Sequence, residues 1–278
     1  MFWQTTRYRI DLSWPQVMGI VNTTPDSFSD GGRSVAEAIA HCERLLKDGA
    51  DILDIGGEST RPGAEPVSLA DELARVLPVL KAAVQLGVPV SVDTCKPEVM
   101  RAALDLGCDI VNDIAALQAP GAEEVVAQHP ACGICLMHMQ GQPRSMQAAP
   151  AYQDVQSEVR DFLAQRAALL RDRGVAAERI TLDPGIGFGK QVDDNFALLP
   201  GQQALRELGY PVLAGWSRKS SLGAVTGRPT GERLAASLAA ALAAVQWGAS
   251  IVRVHDVAET VDALTIWRHA RLGPFAAS

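Results

Sequence analysis

Eight short apolar runs, each followed by a helical stretch, recur along the chain: Val17–Asn22, Asp51–Gly56, Pro89–Asp93, Asp109–Asp113, Ile134–His138, Ile180–Asp183, Pro211–Gly215 and Ser250–His255. A strand covered on both faces reads as a nearly continuous apolar run, because a parallel sheet is flanked by helices. Eight strand–helix units in succession predict an α/β fold, the (β/α)8 TIM barrel. Such a domain takes about 250 residues, so the 278-residue chain is expected to form one domain over residues 1–278. Residues Tyr8–Leu12, before the first run, read as a short strand or hairpin closing the bottom of the barrel.

The helical stretches support this reading. They are Val35–Lys47, Leu69–Leu86, Glu98–Leu106, Gly121–Gln128, Asp154–Arg173, Asp193–Leu208, Glu232–Trp247 and Ala258–Leu272. All but the short Gly121–Gln128 end close to a glycine, the usual helix stop before a turn into the next strand. Strand starts are unevenly spaced, which excludes a solenoid of fixed period.

Polar residues sit at or just past the ends of the apolar runs: Asn22, Asp54, Asp93, Asn112, His138, Asp183, Arg253 and His255. In a barrel of this kind the carboxyl ends of the strands carry the active site. A polar group left unpaired inside costs roughly 1–3 kcal/mol. These residues are therefore expected to converge on one site. Three connections on that side are longer than a βα turn needs, Thr23–Gly32, Gly57–Pro66 and Met139–Pro150, as lids and binding loops often are.

The formal charge of −7 and the lack of a basic tract argue against nucleic acid or a membrane surface as partner. No run approaches the roughly 20 apolar residues of a membrane span. Met1–Leu12 lacks the apolar core of a signal peptide, so a cytoplasmic location is expected. Five cysteines, Cys42, Cys95, Cys108, Cys132 and Cys135, fit a reducing compartment. Cys132 and Cys135 form a C-x-x-C with no second pair, and they read as small buried side chains rather than a metal or redox site. Neither a zinc-type ligand cluster nor a Ser-His-Asp or Cys-His arrangement is evident.

Several segments make a family resemblance specific. Met18–Phe28 and Gly57–Gly63 resemble the two signature loops of dihydropteroate synthase. Ser91–Thr94, Asn112–Ile114, Leu182–Lys190, Ser217–Ser220 and Arg253–Asp256 follow in the order of that family. The resemblance implies an alkyl transfer of folate biosynthesis, in which 4-aminobenzoate displaces diphosphate from a dihydropterin methyl diphosphate to give dihydropteroate. It further implies a homodimer and a magnesium ion at Asn22, whose amide oxygen suits a hard cation. A pterin edge offers an amino group beside a ring N–H, which an ionised carboxylate accepts as a pair. Asp183 is the candidate for that carboxylate. Asp93 and Asn112 are expected on the remaining ring nitrogens, with Asp54 supporting them and Met137 against the ring.

Lys219 is implied chiefly at the pterin, and Arg253 with His255 at the diphosphate; with Asp93 these are the candidate catalytic residues. Thr60, Arg61 and Ser217 are candidates for the 4-aminobenzoate carboxylate, with Phe28, Pro62 and Phe188 as apolar walls. Asp26 and Asp30 are candidates for steadying the cation that departing diphosphate leaves behind. Two positions depart from the family pattern, Thr23 and Trp216, and Trp216 is expected to narrow the mouth. Two alternatives remain open: a pterin-binding methyltransferase on the same barrel, which has no need of Gly57–Gly63, Lys219 or Arg253/His255, and a non-catalytic pterin-binding relative.

Overall fold

Each of the eight apolar runs forms a strand. The computed structural model describes residues 1–24, 31–60, 63–142, 144, 146 and 150–270. An N-terminal antiparallel hairpin, β1 (Phe2–Gln4) and β2 (Arg9–Asp11), precedes the barrel. The barrel strands are β3 (Gln16–Asn22), β4 (Ile52–Gly56), β5 (Val90–Asp93), β6 (Ile110–Asp113), β7 (Gly133–Met137), β8 (Ile180–Asp183), β9 (Leu213–Ala214) and β10 (Ile251–Val254). They pair in parallel in the order β8-β7-β6-β5-β4-β3-β10-β9. A parallel bridge between Leu182 and Val212 joins the two ends and closes the barrel.

The helices are α1 (Gly31–Lys47), α2 (Leu69–Ala83), α3 (Pro97–Asp105), α4 (Ala122–Gln128), α5 (Val155–Asp172), α6 (Val192–Arg206), α7 (Ser220–Thr226), α8 (Leu234–Gln246) and α9 (Val257–His269). Their starts follow local chemistry. The Ser68 hydroxyl accepts from the Asp71 amide ahead of α2, Pro97 occupies the first turn of α3, and Asp154 caps α5. The short α7 has no counterpart among the expected helices. A helix of two turns with a glycine inside it shows too little apolar periodicity to read from sequence.

Two apolar layers result. The larger lies between the sheet and the helices. The second fills the lower barrel, where Met18, Ile52, Ile110, Cys135, Leu213 and Ile251 point inward. Trp3 of the hairpin plugs this layer from below, fully buried, and its Nε1 donates to the Arg179 carbonyl at 2.9 Å. Replacing Trp3 with phenylalanine keeps most of the apolar contact and orphans that carbonyl. It is expected to cost about 1–3 kcal/mol in urea unfolding; an unchanged midpoint would show that the bond contributes nothing. All five cysteines are free thiols, with Cys135 inside the barrel and the Cys132 sulfur accepting from Arg179.

Candidate active site

With the lower barrel filled by aliphatic side chains, the next inward positions up each strand form a polar layer. Asp54 ends up fully buried. Its Oδ2 accepts from Arg253 Nε at 2.6 Å and from Asn112 Nδ2 at 3.2 Å, while its Oδ1 is buried without a partner. Register places Asp93 beside Asn112 on one side and beside Gly56 on the other, where the absent side chain leaves it room. Arg253 Nη2 donates to Asp93 Oδ2 at 2.7 Å. One guanidinium from β10 therefore bridges carboxylates from β4 and β5, with Asn112 of β6 joined through Asp54.

The charges in this layer perturb one another. Burial pushes the Asp93 carboxyl up to about 7; Arg253 opposes this, while Asp54, Asp113 and Glu72 add to it. Burial also raises Asp183, against the Gly185 amide and the charges of Lys219, Arg253 and Lys190. The Lys219 ammonium is pulled down to about 8 by burial, held up by Asp183 and Asp93 and lowered further by Arg253. Arg253 is raised, because the pull of Asp54 and Asp93 exceeds the cost of its burial.

The opposite wall is apolar with one cation above it. Met137, at the end of β7 and in register with Asp183 of β8, packs with Ile114, Met146 and Phe188. Lys219 Nζ lies 4.2 Å from the centroid of the Phe188 ring, a distance suited to cation–π attraction. The loop that carries Phe188 lies flat against the end of β7. A Cβ at Gly185 or Gly189 would overlap the carbonyl oxygens of His138 and Gln140, and both glycines adopt left-handed φ. The Gly185 amide donates to Asp183 Oδ1 at 2.7 Å and so orients that carboxylate.

Of the expected site residues, Asp54, Asp93, Asn112, Met137, Asp183, Phe188, Lys219 and Arg253 are brought together. Ser217 and His255 sit beside one another at the ends of β9 and β10, with Ser217 Oγ 3.0 Å from His255 Nδ1. The serine has a single O–H, so a carboxylate receives it only when the imidazole nitrogen is itself the donor in this pair. Asn22 ends β3 half-buried, and Thr60 stands half-buried in the loop beyond β4. Arg61, Asp26, Phe28, Asp30 and Pro62 lie outside the described residues.

Two expectations need correction. His138 does not join the polar layer. Successive strand residues face opposite sides, and Met137 takes the inward position, so the His138 ring packs outside the barrel, edge-on to Phe162. Nor does Trp216 narrow the mouth: it is buried between sheet and helices against Phe196 of α6. Sequence reasoning also passed over Ile114, which joins the apolar wall, and Lys190. Both lie inside segments that carried the resemblance, yet neither has a pattern of its own that marks it.

Comparison with known proteins bears on this geometry. The family model described as pterin binding enzyme matches residues 18–255. A dihydropteroate synthase of Neisseria meningitidis serogroup B is 53% identical over 273 residues, 95% of this chain and 96% of that protein. The Burkholderia cenocepacia dihydropteroate synthase solved with 7,8-dihydropteroate superposes with a TM-score of 0.90 at 54% identity, over 97% of this chain and 96% of that one. The Xanthomonas albilineans dihydropteroate synthase with 4-aminobenzoic acid gives 0.92 at 49% identity, over 99% and 100%. The fold, the strand-end polar layer and identity of this extent agree: the chain belongs to the dihydropteroate synthases of the pterin-binding enzyme family, transferases of the folate pathway.

Proposed function

We propose that the barrel mouth joins 4-aminobenzoate to the methylene carbon of (7,8-dihydropterin-6-yl)methyl diphosphate, releasing diphosphate and forming 7,8-dihydropteroate. The observation that carries this reading is the pairing of a hydrogen-bonding layer, Asp93, Asn112 and Asp183, with the cations Arg253 and Lys219 at the same strand ends. The first set suits a flat heterocycle with adjacent N–H donors, the second an attached anion.

Asp183 accepts the amino group and ring N–H of the pterin, while Asn112 and Asp93 meet the other ring nitrogens. Met137 packs against the pterin ring, and Phe188 beside it walls the 4-aminobenzoate end. Arg253 keeps its Nε and one Nη2 hydrogen on Asp54 and Asp93, and its Nη1 group is assigned to the diphosphate together with His255. Lys219 spans the pterin and the departing oxygens. Fixed cations aimed at developing negative charge lower the barrier without reorganising. Bond breaking precedes attack, with Asp26 and Asp30 assigned to the cation left on the pterin methylene. The amine of 4-aminobenzoate then attacks, with Thr60, Arg61 and Ser217 on its carboxylate.

Asn22 would hold a magnesium ion, since its amide oxygen at the end of β3 suits a hard cation that prefers oxygen ligands. Among the described residues no group of three or more His, Cys, Asp or Glu forms a protein cage for a metal. Bound there, magnesium would neutralise part of the diphosphate charge. A homodimer belongs to the same reading, and the exposed Val225, Leu234 and Ile266 on α7, α8 and α9 suit a paired face. No described helix is long and apolar enough to cross a membrane; a cytoplasmic location is part of the proposal, and neither membrane nor nucleic acid is a proposed partner.

The test is diphosphate release by the purified protein from dihydropterin methyl diphosphate, with and without 4-aminobenzoate and magnesium. Release coupled to dihydropteroate and dependent on both additions is expected. Turnover should also decline as pH rises through about 8, where Lys219 loses its proton. Tight pterin binding without product would replace this reading with a methyltransferase or a binding protein.

A further inference from the structure

Beneath the loop that follows β8 lies an ammonium group that the reaction above does not use. Lys190 is 2% exposed. Its Nζ stands 3.0 Å from the Gly185 carbonyl oxygen, 3.0 Å from that of Phe188, 3.2 Å from that of His138, and 2.9 Å from His138 Nδ1. All four acceptors are uncharged. Burial, with the charge of Lys190, pulls the His138 imidazole down to about 3, so the ring is neutral and its Nδ1 accepts. The arrangement is that of a coordination shell around a cation.

An ammonium supplies three N–H donors where a neutral amine supplies two, and three buried carbonyls with an imidazole nitrogen call for the larger number. Burial pulls the Lys190 ammonium down to about 7, with Asp183 the main influence holding it up. The four acceptors converging on Nζ favour the charged form, and the geometry is what carries that assignment. The groups Lys190 gathers are those that set the pterin end of the site. Gly185 carries the amide that orients Asp183, and Phe188 carries the ring beneath Lys219. Between them, a Cβ at Gly187 would press on the Lys219 side chain at 3.1 Å, so the loop backbone also defines where that lysine lies.

We propose that Lys190 is a positioning residue, an internal cation that folds the loop after β8 around itself and so orients Asp183 and the backbone beneath Lys219 for the pterin half of the substrate. The proposal rests on the pterin reading of the site given above. It separates Lys190 from Thr60, Arg61 and Ser217, the candidates for the 4-aminobenzoate carboxylate, which lie on other loops.

Lys190→Met keeps the apolar stem and removes the donors. Its calorimetric Kd for dihydropterin methyl diphosphate, read without 4-aminobenzoate, is expected to rise roughly tenfold or more. The KM for 4-aminobenzoate, which the same loop touches through Phe188 alone, should rise severalfold less than the pterin Kd. Lys190→Ala removes the stem as well, and n-propylammonium matches the missing fragment. It is expected to restore pterin affinity where tetramethylammonium, a cation without N–H donors, does not. An unchanged Kd in Lys190→Met, an equal rise in both constants, or equal restoration by both ions would overturn the proposal. So would a Lys190→Ala protein that propylammonium leaves as weak as before. Because the readout is binding, a parent that binds the pterin diphosphate without turnover would sink the synthase reading alone. A parent that turns over normally beside a Lys190→Met variant of unchanged affinity would sink this inference alone.

Discussion

Replacing Arg253 with methionine is expected to lower kcat/KM by about 10³, on the scale of losing a fixed donor to developing charge, and to destabilise the fold at the same time. The second effect follows from what the guanidinium bridges. Asp54 is fully buried and Asp93 nearly so, and each has Arg253 as its ion-pair partner. Removing one member of a buried pair leaves an uncompensated charge and costs about 3–5 kcal/mol. For a domain of this size that lowers the melting temperature by on the order of 10 °C.

The loss should depend on pH in a defined direction. The folded state holds the Asp93 carboxyl at about 7 even with Arg253 present, above the unfolded value of about 3.9. Between those values the folded protein binds more protons than the unfolded one, so stability falls as pH rises. Without the guanidinium the carboxyl shifts further upward, so the fall in stability continues above pH 7. The deficit of Arg253→Met relative to the parent should therefore be small near pH 5 and large at pH 8. A deficit equal at both pH values in thermal melts would show that the Asp93 carboxyl does not depend on Arg253.

Asp183→Asn is expected to separate affinity from stability. The amide oxygen can still accept from Gly185, but the amino group then faces the donor edge of the pterin. Two charge-assisted hydrogen bonds are lost, at about 1.5–3 kcal/mol each. The Kd for dihydropterin methyl diphosphate should rise by roughly 10²–10⁴. Burial raises the Asp183 carboxyl, so ionising it costs the fold something that a neutral amide avoids. The melting temperature at pH 8 should therefore stay near the parent value or rise slightly. Calorimetry and a thermal melt on one sample check both; an unchanged Kd would remove Asp183 from pterin recognition.

Arg253 and Asp183 were both legible in the sequence because a charged residue at the end of an apolar run has few tolerable explanations. The same logic located Asp54, Asp93 and Asn112. It failed for His138, since the rule marks a strand end without saying which face the residue takes. Met137 is inward, and the alternation of the strand then sends His138 outward to Lys190 and Phe162. Trp216 was misplaced for the same reason, by one step of the same alternation.

The order of strands and helices, the barrel they imply and the chemical types gathered at its mouth were determined by the sequence alone, because period and composition are local properties. The tertiary structure decided what depends on atoms from distant strands meeting. Arg253 spends two of its donors on Asp54 and Asp93, 199 and 160 residues away in the chain. Lys190, unremarkable at the end of a glycine-rich segment, becomes a buried cation only because β7 and the loop after β8 bring four acceptors to one point. Burial and charge coupling are properties of the assembled layer, and no stretch of sequence carries them by itself.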